Sequence, residues 1–250
     1  MLFMAAAIIL FVVFYQKRML HEQLRRQSLE ADYQRDLLSA QMESQENERK
    51  RVAKDLHDDV GLMLQALRAT TLAVLKEAPE QDRQEVQQMV TEVTETVRRI
   101  CWDLMPSSLE YFGLTEAVDE MCNRLTSRGQ IPVKFSHLGK NSLIEKNKQT
   151  LLYRMTQELV SNALRHAKAS EVEVKFVWTE HHLQINVLDN GTGFDRASIK
   201  QPAAPGRGLG LLSLESRASL LPAQLLFETN FPVGTNASIN YTLAATHGQN

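Results

Sequence analysis

The sequence predicts a multi-domain chain with an N-terminal transmembrane helix, an all-α helical hairpin that forms a dimeric four-helix bundle, and a C-terminal α+β sandwich. Three observations lead to this prediction. The first 15 residues are almost wholly apolar, residues 20–104 are rich in helix formers, and short alternating strands mixed with amphipathic helices follow from residue 131. A chain of 250 residues that is 43% hydrophobic can build one or two globular cores.

The segment 1–15, MLFMAAAIILFVVFY, predicts a single membrane anchor. It is shorter than the roughly 20 residues that a bilayer requires, but Met19 and Leu20 lengthen it and Lys17 and Arg18 can reach the interface. These basic residues predict that the rest of the chain lies on the cytoplasmic side of the membrane. A signal peptide and a buried core helix are the alternatives. We expect no extracellular sensor domain, since no sequence precedes the anchor.

The long helical region after the anchor divides into a weak part and a strong part. Heptad positions between residues 24 and 49 alternate apolar residues such as Leu24 and Met42 with polar ones such as Arg35. This predicts either a weak signalling coiled coil or a solvated linker helix. From Val52 onward the apolar stripe is regular, and a second striped helix is predicted at 81–104 between Pro79 and Pro106.

When two helices with one apolar stripe each form a single hairpin, part of their apolar surface remains exposed. Pairing two hairpins into a four-helix bundle buries that surface, so we expect a homodimer. After residue 106 the pattern predicts helices at 114–128, 145–168 and 209–221, and strands at 131–137, 171–178, 183–188, 225–229 and 235–242. This order predicts one sheet with helices on one face.

Charge and cysteine content exclude some classes of function. The formal net charge is −2 and basic residues are interspersed with acids, so no direct nucleic-acid binding is expected. Cys101 and Cys122 fall in helical sequence, and we expect them to be reduced, partly buried thiols.

The first candidate site is a histidine followed by two aspartates on the hairpin. His57 comes directly after the stripe residue Leu56, so it lies about 100° round the helix, at the edge of the stripe. A neutral imidazole has one nucleophilic nitrogen and can accept a phosphoryl group. Asp58 can hold the proton on the other nitrogen as a general base. Surface polar residues remain the alternative interpretation.

The second candidate site is a polar helix face. Glu158, Asn162 and His166 are four residues apart and are expected to share one face. The amide oxygen of Asn162 suits Mg²⁺, and Arg165 and Lys168 add positive charge for phosphate. A solvated helix face is the alternative.

Two glycine-rich segments complete this second site. In the turn DNGTG after a strand, a carboxylate can accept a hydrogen bond from an adenine amino group, while glycines allow the backbone to approach a flat ligand. In GRGLGL, glycines at a helix start leave backbone N–H groups free for phosphate. The residues concerned are Asp189, Gly191 and Gly193 in the first segment, and Gly206, Gly208 and Gly210 in the second.

With these motifs in this order, the chain resembles a two-component sensor histidine kinase of the subfamily whose phosphoacceptor motif ends in His-Asp. The resemblance covers about residues 48–242. ERKRVAKDLHDDVG is similar to the HisKA_3-type dimerisation and phosphotransfer hairpin, and DLMPSSLEYFGLTEAV to the connector. QELVSNALRHAKAS, DNGTGFD and GRGLGLLSLESRA are similar to the Bergerat or GHKL-type ATP-binding domain shared with gyrase and MutL.

The resemblance implies roles for individual residues. His57 would be phosphorylated from ATP with Asp58 as base, and would pass the phosphate to an aspartate of a cognate response regulator. Asn162 would hold Mg²⁺, Asp189 and Thr235 would hold adenine, and the glycine boxes would flank an ATP lid at residues 194–207. The expected domains are an anchor (1–15), a signalling coiled-coil helix (16–47), a dimerisation and phosphotransfer hairpin (48–107) and an ATP-binding catalytic domain (108–246).

One position departs from the family pattern. Relatives that also dephosphorylate their regulator commonly have Gln or His five residues after the phosphoacceptor, where this chain has Leu62. Leucine has no hydrogen-bonding group to orient a water, so weak phosphatase activity is predicted unless Asp59 or Gln65 substitutes. Two other functions stay open. One is an ATPase clamp of the gyrase or MutL class that uses Glu158 to activate water, and the other is a non-catalytic dimeric scaffold.

Overall fold

The computed structural model describes residues 2–75, 79–129, 131–193, 209–229 and 233–243, with side chains of residues 2–10, 12, 13 and 209 left out. The chain divides into two units, Met1–Asn47 and Glu48–Asn250. The first unit is helical wherever it is described. The second contains the hairpin and the α+β domain.

The predicted transmembrane helix at residues 1–15 is wrong. Among the described residues, no helix combines the length and the apolar character that a membrane crossing requires. The apolar run is the start of a much longer helix, α1 (Leu2–Asp55), whose continuation from Gln16 onward is polar and exposed.

The hairpin consists of two helical arms. In the first arm, α1 continues through a π-helical turn (Leu56–Val60) into α2 (Gly61–Val74), and the second arm is α3 (Glu80–Leu104). Both α2 and the π-turn pack against α3. Several large apolar side chains of these two helices remain exposed in the single chain: Leu62, Met63, Leu67, Val74, Met89, Val93 and Ile100.

The α+β domain begins directly after the hairpin. Its helices are α4 (Ser107–Tyr111), α5 (Leu114–Ser127), α6 (Lys146–His166) and α7 (Leu209–Ser219). Its strands are β1 (Val133–Leu138), β2 (Val172–Trp178), β3 (His182–Asp189), β4 (Ala223–Thr229) and β5 (Thr235–Thr242).

The five strands form one sheet in the order β1-β2-β3-β5-β4. Strands β1 and β2 are parallel and are connected through α6, whereas the other three pairs are antiparallel. Helices α5, α6 and α7 pack on the sheet. Strand β2 alternates buried and half-buried residues, as a strand with only one face in the core must. The predicted α+β layer with one covered face is therefore confirmed.

A buried arginine joins the α+β domain to the end of the hairpin. Arg154 of α6 is only 4% exposed. Its Nη1 donates to the carbonyl of Asp103 (3.1 Å) and to Gln157 Oε1 (2.9 Å), and its Nη2 donates to the carbonyl of Leu104. The last carbonyls of a helix have no partner within that helix. Arg154, which belongs to the α+β domain, therefore donates the hydrogen bonds that the last carbonyls of α3 lack within their own helix.

Candidate active site

His57 lies on the π-helical turn, not on a regular α-helix. The backbone N–H of Gly61 donates to the carbonyls of Leu56 and Asp58, and the bond to Leu56 spans the five residues that define a π-turn. Such turns are frequent at functional sites because the extra residue changes the direction of the neighbouring side chains. The imidazole of His57 is exposed.

His57 and Asp58 line a groove of about 280 Å³ between the first arm of the hairpin and α3. Leu62 and Gln65 line the same groove, whereas Asp59 does not. Asp59 and Gln65 are the two side chains that could orient a water instead of an amide at position 62. Of these two, only Gln65 lies in the groove.

The opposite wall of this groove comes from α3, and sequence reasoning missed it. Thr94, Val97, Arg98 and Cys101 face the groove from that helix. Arg98 brings a guanidinium to the same groove as the imidazole of His57. The sequence carried no signal for this residue, because its position depends on how the two arms pack.

The helix before the π-turn carries an exposed ion-pair ladder. Arg51 Nη2 lies 2.6 Å from Glu48 Oε1, and Arg51 Nη1 lies 3.0 Å from Asp55 Oδ2. The hydrogen bond from Arg51 lowers the pKa of Glu48. Pairs at this spacing support the helix that leads into the π-turn, with small individual contributions because they are solvated.

A second cavity of about 200 Å³ lies inside the α+β domain. Its walls come from α6, β3, β4, β5 and α7. Five of the predicted ligand-binding residues line it together: Asn162, His166, Asp189, Gly193 and Thr235. The rest of the lining is mainly apolar, including Leu159, Val187 and Leu214. An apolar cavity with a few convergent polar groups is typical of a small-molecule site.

The turn after β3 is held in place by close backbone contacts. The N–H of Gly191 donates to Asp189 Oδ1 at 2.9 Å, and the N–H of Gly234 donates to the carbonyl of Gly191 at 2.5 Å. A Cβ on Gly191 would collide with the backbone of Ala167 at the end of α6. Glycine is therefore required here, and the turn fixes the carboxylate of Asp189 at the cavity wall.

Asn190 anchors the same turn from the outside. Its Oδ1 accepts hydrogen bonds from the N–H groups of Ser170 (2.9 Å) and Glu171 (3.1 Å), and its Nδ2 donates to Ser170 Oγ (2.8 Å). The sequence motif indicated a ligand role for Asp189 but no separate role for Asn190. Asn190 connects the turn to the segment that leads into β2.

Gly210 brings α7 close to α6. A Cβ at this position would collide with Glu158 Oε1 and would lie 3.7 Å from Asn162 Nδ2. The glycine thus permits the start of α7 to approach the two polar side chains of α6.

Three predicted residues lie away from this cavity. Glu158 and Arg165 line a different cavity, and Lys168 lines neither. Arg165 Nε donates to Ser161 Oγ on its own helix at 2.9 Å, and Lys168 is exposed with a positive φ of 51° just after α6. Gly206, Gly208 and the lid predicted at residues 194–207 lie outside the described residues.

Comparison with known proteins assigns both halves of the second unit. Residues 48–109 match the HisKA_3 family model, described as histidine kinase. Residues 147–244 match the HATPase_c model, described as histidine kinase-, DNA gyrase B-, and HSP90-like ATPase. The first matched range contains the His57 groove and the second contains the α+β cavity. Two successive parts of the second unit are thus similar to the two parts of a histidine kinase that these models describe.

Two individual proteins illustrate the similarity. The oxygen sensor histidine kinase NreB of Staphylococcus carnosus is 29% identical over 219 residues, which are 85% of this chain and 61% of that protein. The chain thus spans about three fifths of the length of this curated relative. Among solved structures, the blue-light activated histidine kinase EL346 of Erythrobacter litoralis matches 74% of this chain and 59% of its own, with 18% identity and a TM-score of 0.45.

Proposed function

We propose that this chain is the kinase of a two-component system. It transfers the terminal phosphate of ATP to His57 and then to an aspartate of a response regulator. The observation that carries the proposal is an exposed imidazole beside Asp58 in a groove of the hairpin, on the same chain as an ATP-binding domain. This combination suits a phosphoacceptor that works with its own nucleotide site.

In the proposed transfer, the groove residues divide the work at His57. One ring nitrogen attacks the phosphoryl group, and Asp58 holds the proton on the other nitrogen and stabilises the ring as it becomes positive. Arg98 faces the same groove, and its cation favours the negative charge that arrives with the phosphate. Both Asp58 and Arg98 already line the groove with His57, so neither side chain has to be brought there from elsewhere.

The α+β cavity fits the polar groups of a nucleotide. Asp189 presents a carboxylate for the adenine amino group, and Thr235 lines the wall beside it. Magnesium commonly takes one or two protein oxygens and completes its shell with phosphate oxygens and water, so the amide of Asn162 is a suitable ligand. The metal would neutralise phosphate charge there. Gly210 keeps the start of α7 close to Asn162, as phosphate binding by backbone N–H groups requires.

Two partners follow from this function. The response regulator would approach the exposed edge of the hairpin where His57 lies. A second copy of the chain would cover the exposed apolar residues of α2 and α3, since a four-helix bundle buries both stripes. The expected location of the kinase domains in the cytoplasm stays a prediction.

Incubating the purified chain with γ-labelled ATP and Mg²⁺ tests the first transfer. We expect the protein to become labelled through a bond that is labile in acid and stable in base, as a phosphoramidate is. His57→Gln should abolish the label while ATP binding is retained. The exposed His21→Gln, which lies in the first unit, is the matched control and should label normally. Label that persists in His57→Gln would refute the assignment.

We further propose that this kinase is a poor phosphatase. Leu62 is 66% exposed and lines the groove beside His57, where an amide would be needed to orient a water. Gln65 lies in the same groove and is the side chain that could replace it.

Leu62→Gln should therefore raise the rate at which phospho-regulator loses phosphate in the presence of this protein and ADP, by about tenfold or more. Met63→Gln, on a neighbouring exposed position outside the groove, should have no effect. If the unmodified chain already removes phosphate rapidly and Gln65→Leu abolishes that activity, then Gln65 performs the role and the proposal for Leu62 is wrong.

An ATPase clamp that uses Glu158 is not favoured. Residues 48–109 match the histidine kinase model, and a clamp has no use for the groove around His57. The clamp predicts steady ATP hydrolysis without a phosphoprotein, so the labelling experiment separates the two functions.

A further inference from the structure

A third cavity, of about 380 Å³, lies where the end of the hairpin meets the α+β domain. Its lining includes Asp103 at the end of α3, residues of α5, and Glu158 and Arg165 of α6. The third cavity shares no lining residue with the nucleotide cavity, although Glu158 and Asn162 are neighbours on α6. It is therefore separate from the nucleotide cavity.

Four arginines line this cavity: Arg49, Arg124, Arg128 and Arg165. Only two carboxylates, those of Asp103 and Glu158, line it with them. The arginines come from α1, from α5 and the turn that follows it, and from α6. Their convergence is thus a result of the fold and not of a basic run in the sequence.

The described part of the chain does little to neutralise these guanidinium groups. The side chains of Arg49 and Arg128 form no ion pair or hydrogen bond with any described residue. Arg165 donates only to the hydroxyl of Ser161 on its own helix. Like charges that converge without counter-charges repel each other, and a bound anion relieves that repulsion.

Arg124 is the most enclosed of the four. Its guanidinium lies 3.9 Å from the centroid of the Trp102 ring, which fixes its position. Its Nη1 is buried, has no hydrogen-bond partner among the described residues, and lies 3.9 Å from Glu120 Oε1. A buried donor without an acceptor is costly, so this N–H group favours a ligand that can accept from it.

We infer that this cavity is a binding site for a compact, multiply charged anion of the phosphate class, formed jointly by the hairpin and the α+β domain. Planar guanidinium groups match the oxygens of phosphate in two-pronged hydrogen bonds. The volume falls within the roughly 300–1,000 Å³ of small-molecule sites. An anion bound there touches both Arg49 of the first arm and Arg128 just after α5, so it stabilises the arrangement of these two parts.

Pyrophosphate is a suitable probe, and calorimetric titration of the full chain saturated with ADP, in magnesium-free buffer, tests the site. Saturation with ADP prevents the probe from entering the nucleotide cavity. We expect one pyrophosphate to bind per chain. The double variant Arg49→Gln/Arg128→Gln should weaken this binding by about tenfold or more, because two charge-assisted contacts are lost. Arg26→Gln, an exposed arginine in the first unit, should bind as the unmodified chain does.

Three results would overturn the inference: no saturable binding at millimolar pyrophosphate, equal binding by the double variant, or release of ADP by the probe. Neither the Arg49 nor the Arg128 side chain forms a polar bond with another described residue, so the variant should fold, and its retained affinity for ADP verifies this. The titration requires no phosphoryl transfer. His57→Gln should bind pyrophosphate normally, which keeps this test independent of the proposed kinase activity.

Discussion

At the scale of single residues, the environment of His57 differs from that of a histidine on a regular helix. The sequence places it at the edge of an apolar stripe. The π-turn then sets its direction, and packing against α3 adds Arg98 to its groove. The surroundings of His57 therefore depend on three things: the residue type, the local backbone and the packing of two helices.

Two glycines allow a matched test of local backbone requirements. Gly210→Ala places a Cβ against Glu158 and near Asn162, so it should lower nucleotide affinity several-fold. The collision is with the end of a flexible side chain, so the free energy of unfolding should change by less than about 1 kcal/mol. Calorimetric titration with ADP and thermal unfolding measure the two effects.

Gly61→Ala is the control for this substitution. Gly61 has helical angles (φ −60°, ψ −45°), and no atom lies within 4 Å of its added Cβ. Alanine should stabilise the hairpin by about 0.5–1 kcal/mol and leave nucleotide affinity unchanged. If Gly210→Ala binds ADP as tightly as Gly61→Ala does, the close approach of α7 is irrelevant to the nucleotide site.

The polar residues of the nucleotide cavity were predictable to different degrees. Asn162 and His166 are four apart on one helix, and Asp189 follows a strand next to glycines, so local patterns indicate them. Arg98 and the cluster of four arginines were not predictable, because residues from separate helices meet there only after folding. Arg165 was expected at the phosphates, but its side chain lies against Ser161.

At the scale of elements, Arg154 determines how α6 meets the end of α3. Arg154→Met removes the guanidinium that donates to the carbonyls of Asp103 and Leu104, and leaves these part-buried acceptors without that partner. The free energy of unfolding of the α+β domain should fall by about 2–3 kcal/mol. Urea denaturation measures this loss.

Arg165→Met is the matched control on the same helix. That arginine is exposed and donates only to Ser161 one turn earlier, so its loss should cost less than about 0.5 kcal/mol. Equal losses for the two variants would show that the contact with α3 contributes nothing specific. Arg154→Lys should lower the free energy of unfolding by an intermediate amount, since an ammonium group can reach fewer of the acceptors.

Most elements could be predicted from periodicity, because one-sided burial imposes a period of two on strands and of about 3.6 on helices. The predicted helix at 114–128 and strand at 235–242 correspond to α5 and β5 within one residue. The short helix α4 and the π-turn were missed, since five residues give no readable period. The membrane helix was wrong because an apolar run at the start of a long polar helix resembles an anchor.

At the scale of the whole molecule, the second unit contains the exposed His57 in a hairpin that matches the histidine kinase model and a cavity in a domain that matches the ATPase model. The exposed apolar side chains of α2 and α3 indicate that the hairpin functions as a pair. In the proposed function, the molecule is a dimer in which a nucleotide-binding domain acts on an imidazole at the edge of a four-helix bundle.

Mass-spectrometric mapping of phosphate on the full chain, after incubation with ATP and Mg²⁺ under neutral conditions, tests this account most directly. The account predicts a single phosphate on the peptide that contains His57, and none in Asp189→Asn, whose neutral amide holds adenine less well. Glu180→Gln, an exposed turn residue, should be phosphorylated as the unmodified chain is. Phosphate on a different residue, or no phosphate on a chain that binds ATP, would contradict it.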